Sequence, residues 1–150
     1  MSAMRVYADT SVFGGCFDDE FSEPSLRFFE KVRSSLFRLV VSDTTLVEIG
    51  AAPQRVRGVL LSLPAREVER VGVDKTAMRL RDAYLEAGVV GPASVRDAEH
   101  IAVATIADVD LVVSWNFKHI VHYDKIAGYQ GVNLINGYRP IRIYSPLEVI

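Results

Sequence analysis

Met4-Arg-Val-Tyr-Ala-Asp9-Thr-Ser-Val-Phe-Gly-Gly15 is the stretch on which the reading of this chain turns. Val6, Tyr7 and Ala8 form a short apolar run with β-preferring side chains, the pattern of a buried strand. The run stops at Asp9-Thr10-Ser11, three oxygen-bearing side chains, and Gly14-Gly15 follows. In open α/β sheets ligands bind just beyond the carboxyl ends of the strands. A carboxylate at the end of a first strand is therefore placed for catalysis or metal binding. It is equally placed to cap the next helix or turn, and the rest of the chain has to decide.

Working outward, the same design recurs. Cys16 to Glu23 is a polar connection, and Ser22 to Ser34 reads as a helix with Ser22 as its cap and Pro24 near its first turn. Phe37 to Val41 is a second strand ending in Ser42-Asp43-Thr44-Thr45, again an oxygen-rich terminus. A helix follows with Glu48 in its first turn, and Thr45-Leu-Val-Glu48 has the form of a capping box. Pro53 to Leu63 is a further helix. Glu67 to Val73 alternates as a third strand. Asp74 caps a helix over Thr76–Ala87, which Gly88 stops. Ser94 to Ala107 is helical, with Asp97 at its start and His100 one turn on. Ser94-Val-Arg-Asp97 also fits a cap pattern. Leu111 to Ser114 is a buried strand running into Trp115-Asn116-Phe117-Lys118-His119. Tyr123 to Asn136 is a helix carrying Gly128 and Gly131, and Ile141 to Tyr144 is the last strand.

Strands alternating with helices imply a mainly parallel sheet with helices on both faces, a three-layer α/β domain. The 150 residues fit one domain spanning 1–150, with no repeat, linker or low-complexity tract. The hydrophobic fraction of 49% can fill one sizeable core, and a net charge of −2 argues against a strongly basic nucleic-acid binder while leaving room for a local basic patch. Cys16 is the only cysteine, which excludes an intrachain disulfide and a thiolate-rich zinc site. No apolar run is long enough for a membrane span and no signal-peptide pattern is present, so a reducing, cytoplasmic setting is expected.

Three element termini thus carry Asp9, Glu48 and Asp97. Parallel, adjacent strands would bring them to one edge of the sheet, where three carboxylates repel and raise one another's pKa. A divalent cation removes that conflict, and an all-oxygen site suits Mg²⁺ or Mn²⁺. Such ions activate water and stabilise an in-line displacement at phosphorus.

The segments Val-Tyr-Ala-Asp9-Thr-Ser, Ser42-Asp-Thr-Thr-Leu-Val-Glu48-Ile and Arg96-Asp97-Ala-Glu-His-Ile-Ala-Val-Ala resemble those of the PIN-domain ribonucleases. That family includes the toxin halves of VapBC-type toxin–antitoxin pairs. Each motif is short, but the three in order cover nearly the whole chain. The resemblance implies a PIN-like fold and a metal-dependent endoribonuclease acting on RNA. It implies Asp9, Glu48 and Asp97 as metal and catalytic positions, an antitoxin protein as partner, and a homodimer. The family usually has a further acid after the fourth strand, where this chain has Asn116. Asn116 can lend a carbonyl oxygen to a metal or bind a water, but it carries no charge, so a second metal should bind less well.

Thr10 and Ser114 are candidates for orienting water or ligand. Lys118 and His119 are candidates for meeting phosphate, as are Lys125, Arg139, Arg142 and Arg96. Tyr123 and Trp115 offer rings for stacking on bases. His100 reads as a packed histidine or one that supports the site from behind. Two other functions remain open. One is a PIN-like module that binds RNA or protein with little cleavage, which Asn116 favours. The other is a different α/β phosphate-handling enzyme using Asp9 as nucleophile. Ser11, where haloacid-dehalogenase-type enzymes carry a second Asp, counts against the latter. A P-loop and a Gly-x-Ser-x-Gly elbow are both absent.

Overall fold

The computed structural model describes residues 3–150. Five strands form one sheet: β1 (Met4–Ala8), β2 (Phe37–Ser42), β3 (Val68–Val71), β4 (Leu111–Val113) and β5 (Ile143–Tyr144). Their spatial order is β3-β2-β1-β4-β5 and every pairing is parallel. β1 is central, with Val6 opposite Leu39 on one side and Leu111 on the other. The chain builds outward from β1 through β2 to β3, then crosses back to lay β4 on β1's free edge. The crevice between β1 and β4 is thus the topological switch point, where open α/β sheets take their ligands.

Among the described residues seven α-helices connect the strands: α1 (Thr10–Gly15), α2 (Ser22–Arg33), α3 (Asp43–Gly50), α4 (Gln54–Leu61), α5 (Lys75–Glu86), α6 (Val95–Ile106) and α7 (Tyr123–Ile135). The two-residue period of the strands divides the core. Val6, Ala8, Leu39, Val41, Leu111 and Val113 point to one face, under Phe13 of α1, Phe28, Phe29 and Val32 of α2, Ile49 of α3 and Val56 of α4. Tyr7, Val40, Val112 and Ile143 point to the other, under Leu80 and Tyr84 of α5, Ile101 and Ala104 of α6, and Tyr129 of α7. The small residues of α6 let it lie close to the sheet. This is the three-layer, parallel α/β architecture that the element order implies.

Local differences from the sequence reading have identifiable causes. Thr10–Gly15 is a helix rather than a turn, because Val12 and Phe13 are drawn into the core and Gly15 allows a close crossing. A Cβ on Gly15 would stand 2.6 Å from Ser25 Oγ and 2.7 Å from Trp115 Nε1. Phe21, not Ser22, holds the N-cap position of α2. Asp74 does cap α5, accepting from the Ala77 N–H at 2.8 Å, and Gly88 ends that helix at a φ of +74°.

The end of the sheet remote from the switch point is closed by ion pairs. Arg5 pairs with Glu69 of β3 at 2.6 Å, and its backbone N–H donates to Asp110 just before β4 at 2.7 Å. Among the described residues no helix is long and apolar enough to cross a membrane.

Candidate active site

Asp9 ends β1 and stands at the N-cap position of α1, yet its side chain makes no capping bond. The cap reading of this residue therefore does not hold. Both carboxylate oxygens instead take serine hydroxyls. Ser11 donates to Oδ1 at 2.5 Å and Ser114, at the end of β4, donates to Oδ2 at 2.8 Å. The serines are themselves held, since the Trp115 N–H donates to Ser11 Oγ at 2.9 Å and the Asn116 N–H to Ser114 Oγ at 2.9 Å. Asp9 is only 5% exposed. Burying a carboxylate costs several kcal/mol, and each hydroxyl bond to a charged group returns roughly 1.5–3 kcal/mol. Burial wins. It pushes the Asp9 pKa above the ordinary value, and the Asp97 charge adds to that, while His100 and the two serines pull the other way.

Glu48 is not in the first turn of its helix. The cap of α3 is Ser42, whose hydroxyl accepts from the Thr45 N–H while the Thr45 hydroxyl accepts from the Ser42 N–H. The capping box thus begins three residues earlier than Thr45-Leu-Val-Glu48 suggests. That releases Glu48, one turn further on, for other work. Its Oε1 accepts from Thr10 Oγ1 at 2.8 Å and from His100 Nε2 at 2.5 Å. Burial opposes its charge, but the bond and charge of His100, with Thr10 and Arg96, outweigh burial and hold its pKa below normal.

Asp97 lies in the first turn of α6, where the helix dipole favours an anion. Ser94 makes no side-chain cap there. Burial raises the Asp97 pKa, the neighbouring Glu48 charge raises it further, and His100, His119 and a hydrogen bond from Asn116 moderate the rise. The Oδ1 atom of Asn116 accepts from the backbone N–H groups of Lys118 at 3.2 Å and His119 at 2.9 Å. Its carbonyl thus holds the turn that follows β4, and the residue as a whole lowers the Asp97 pKa from alongside. Asn116 therefore shapes the loop after β4 and tempers the Asp97 pKa.

His100 sits behind these carboxylates, 2% exposed. Its Nδ1 is 2.6 Å from the Tyr7 hydroxyl, which also lies 2.7 Å from Ser42 Oγ and 3.2 Å from Thr45 Oγ1. Burial works against a charged imidazole. The Tyr7 contact, the Glu48 bond, and the charges of Asp9 and Glu48 overcome it and raise the pKa to about 10. Beside it, Thr44 of α3 donates to Glu99 of α6 at 2.5 Å and Arg81 of α5 to the same carboxylate at 2.8 Å, which locks the helices carrying Glu48 and Asp97 together.

The surroundings sort the phosphate and base candidates. Lys118 is exposed, His119 is half-buried beside Asp97, and Arg96 is exposed within range of Glu48. Arg139 and Arg142 do not reach the site. They line a cavity with Asp108, Asp110 and Thr105 ahead of β4 and β5, at the opposite end of the sheet, where Arg139 pairs with Asp108 at 2.7 Å. Lys125 lies beside Asp124 on α7. Trp115 cannot receive a base: it is 6% exposed, stacked against Phe21 at 4.2 Å, with its indole N–H on Ser25. Tyr123 is 82% exposed.

Among the described residues no three His, Cys, Asp or Glu side chains form a ready-made ion cluster. The donor set nevertheless suits a hard divalent cation, being carboxylates and hydroxyls without sulfur. Burial raises the pKa of Asp9 and of Asp97, and in each a neighbouring carboxylate adds to the rise, so a cation among them would favour their charged forms.

Fold and site together define a parallel α/β protein that gathers Asp9, Glu48 and Asp97 at the switch point of its sheet. Comparison with protein-family models gives no match, and comparison with curated proteins gives none. Solved structures do match. The FitAcB structure from Neisseria gonorrhoeae superposes with a TM-score of 0.62 at 10% identity, covering 95% of this chain and 98% of that one. VapBC2 from Rickettsia felis, bound to a DNA fragment from its promoter, gives 0.59 at 12% identity over 95% and 98%. VapC20 of Mycobacterium tuberculosis, a toxin that cleaves the sarcin–ricin loop, gives 0.53 at 15% identity over 91% and 98%. The chain shares the PIN-domain α/β fold of these structures.

Proposed function

We propose that this chain is a divalent-cation-dependent endoribonuclease and the toxin half of a toxin–antitoxin pair. The observation that carries the reading is that three separate elements bring Asp9, Glu48 and Asp97 to the switch point of the sheet: Thr10, next to Asp9, bonds Glu48, while Asp97 raises the pKa of Asp9 and Glu48 that of Asp97. In this reading the three carboxylates hold Mg²⁺ or Mn²⁺. The ion, when bound, supplies electrostatic stabilisation of the phosphodiester and lowers the pKa of water. Ser11 and Ser114 hold Asp9 in one orientation, Thr10 and His100 hold Glu48, and Asn116 lowers the Asp97 pKa, which keeps that acid ionised for the cation. Lys118, His119 and Arg96 border the carboxylates and supply the positive charge that an acidic crevice needs to accept an RNA backbone. The VapBC2 and FitAB neighbours were solved as two-component assemblies bound to DNA fragments, which supports a protein partner, an antitoxin, for this chain. The expected assembly is a homodimer.

The test is cleavage of a mixed RNA pool with Mn²⁺ or Mg²⁺ by the natural chain, Asp9→Asn and Asp97→Asn. Cation-dependent cutting lost in both variants supports the reading. Equal background in all three overturns it. A second reading, a PIN-fold module that binds RNA or protein without cutting, is favoured by one observation: Asn116 adds no negative charge and its carbonyl is engaged in a turn. RNA binding that persists with no cleavage under any cation would select it.

A further inference from the structure

We propose that His100, held by Tyr7, is a positioning residue that aims Glu48 for cation binding; this rests on the nuclease reading above. Glu48 is half-buried on a long, flexible side chain, and a ligand of that kind loses rotamer freedom when it engages an ion. Its Oε1 is pinned from two sides, by Thr10 Oγ1 at 2.8 Å and His100 Nε2 at 2.5 Å. Both of these bonds fall on one oxygen, and neither occupies Oε2.

The imidazole cannot be a ligand itself. Its second nitrogen is 2.6 Å from the Tyr7 hydroxyl, so both ring nitrogens are spent on protein partners. Nor can the ring turn, because it is fully enclosed and its plane meets that of Tyr7 at 62° with centroids 5.7 Å apart. Tyr7 is equally fixed. It belongs to the central strand, is fully buried, and its hydroxyl is anchored by Ser42 and Thr45, the two residues that close the capping box of α3. A continuous path thus runs from β1 through Tyr7 to His100 on α6 and on to Glu48 on α3. It fixes the ligand's orientation relative to Asp9 on the same strand. Partners of this kind, standing behind a ligand, are worth about 10–100-fold in metal affinity.

Mn²⁺ affinity of the purified chain, measured by titration calorimetry or by the resonance of free Mn²⁺, tests this directly. The variants are His100→Leu, His100→Gln, Tyr7→Phe, Glu48→Gln and the double variant His100→Leu/Glu48→Gln, with melting temperatures recorded for each. His100→Leu should weaken Mn²⁺ binding about 10–100-fold. His100→Gln, which restores a donor to Glu48, should recover most of that loss. The effect of His100→Leu should vanish when Glu48 is already Gln, because the two act as one unit. Tyr7→Phe removes one oxygen from an otherwise unchanged core and should weaken binding about threefold to tenfold. It serves where His100→Leu fails to fold. A lower melting temperature with unchanged Mn²⁺ affinity would overturn the proposal, as would an equal loss in the Glu48→Gln background. If the natural chain neither binds Mn²⁺ nor cleaves RNA, the nuclease reading falls and takes this proposal with it. If it binds Mn²⁺ and the His100 and Tyr7 variants bind equally well, only this proposal falls.

Discussion

Two neighbouring glycines should respond to the same substitution with opposite signs. In Gly15→Ala the new methyl would stand 2.6 Å from Ser25 Oγ, 2.7 Å from Trp115 Nε1 and 2.8 Å from Trp115 Cδ1. All three gaps are too short for carbon, and the indole has nowhere to go, since it is stacked on Phe21 and nearly fully buried. Overpacking of this kind costs ~1–3 kcal/mol. The methyl also wedges apart the Trp115–Ser25 hydrogen bond, and a buried N–H left unpaired costs ~1–3 kcal/mol. Alanine's helix preference returns about 1 kcal/mol. The net loss is about 3 kcal/mol, or a fall of about 6–12 °C in melting temperature for a chain of this size. In Gly14→Ala, within the same helix, the methyl meets nothing within 4 Å, so only the helix preference remains and the fold gains up to about 1 kcal/mol. Urea unfolding of both variants beside the natural chain reads the difference. Gly15→Ala as stable as Gly14→Ala would refute the argument that Trp115 sits rigidly over this crossing. The damage should also reach the site, because the Trp115 backbone holds Ser11 against Asp9.

His100 predicts a pH dependence of stability. Its pKa of about 10 lies above the ordinary 6.5, so between those values the folded chain keeps a proton that the unfolded chain releases. The contribution is complete below pH 6.5 and is lost as pH rises through 10, with a one-proton slope of about 1.4 kcal/mol per pH unit. Urea unfolding at stepped pH should show this decline, and His100→Leu should flatten it. Asp9 behaves in the opposite sense to a paired surface acid. Its pKa is raised by burial, so its charge opposes folding at neutral pH, and Asp9→Asn should raise the cation-free melting temperature while abolishing any rise caused by added Mn²⁺. Gly88→Ala forces a side chain onto a φ of +74° and should cost about 1 kcal/mol in thermal or urea unfolding without touching cation binding.

Much of the architecture could be read from residues that obey one strong rule. Val6-Tyr-Ala8 and Leu39-Val-Val41 are apolar runs closed by oxygen-rich termini, and both are strands that end at the crevice. What escaped depends on contacts across the fold. Helix α1 carries too little helical periodicity to announce itself, and it forms because the core takes Val12 and Phe13. The true cap of α3 could be told from its competitor only by knowing where β2 ends, since Ser42 and Thr45 both begin plausible patterns. Asn116 was visible as a missing acid, but which end of its amide faces Asp97 is set by the turn that follows it. The arginines at 139 and 142 were plausible phosphate contacts by charge alone. They fail by position, because they precede β5 rather than follow it. The bond from Tyr7 to His100 spans 93 residues and leaves no local trace.

The placement of β1 also governs when the crevice can exist. Its second partner, β4, pairs Val6 with Leu111, and the Asp9 backbone N–H is taken by Val113. A chain emerging from the ribosome therefore carries Asp9 on its first strand long before the strand that supplies Ser114 has been made. Until β4 has been made, about three-quarters of the way through these 150 residues, α6 with Asp97 has no sheet edge beside β1 to settle against, and the acids remain strangers in sequence. Synthesis thus acts as a timer. Contacts of such long sequence separation form late, and a prematurely ended product has the opening signature of the site without the partners that surround Asp9.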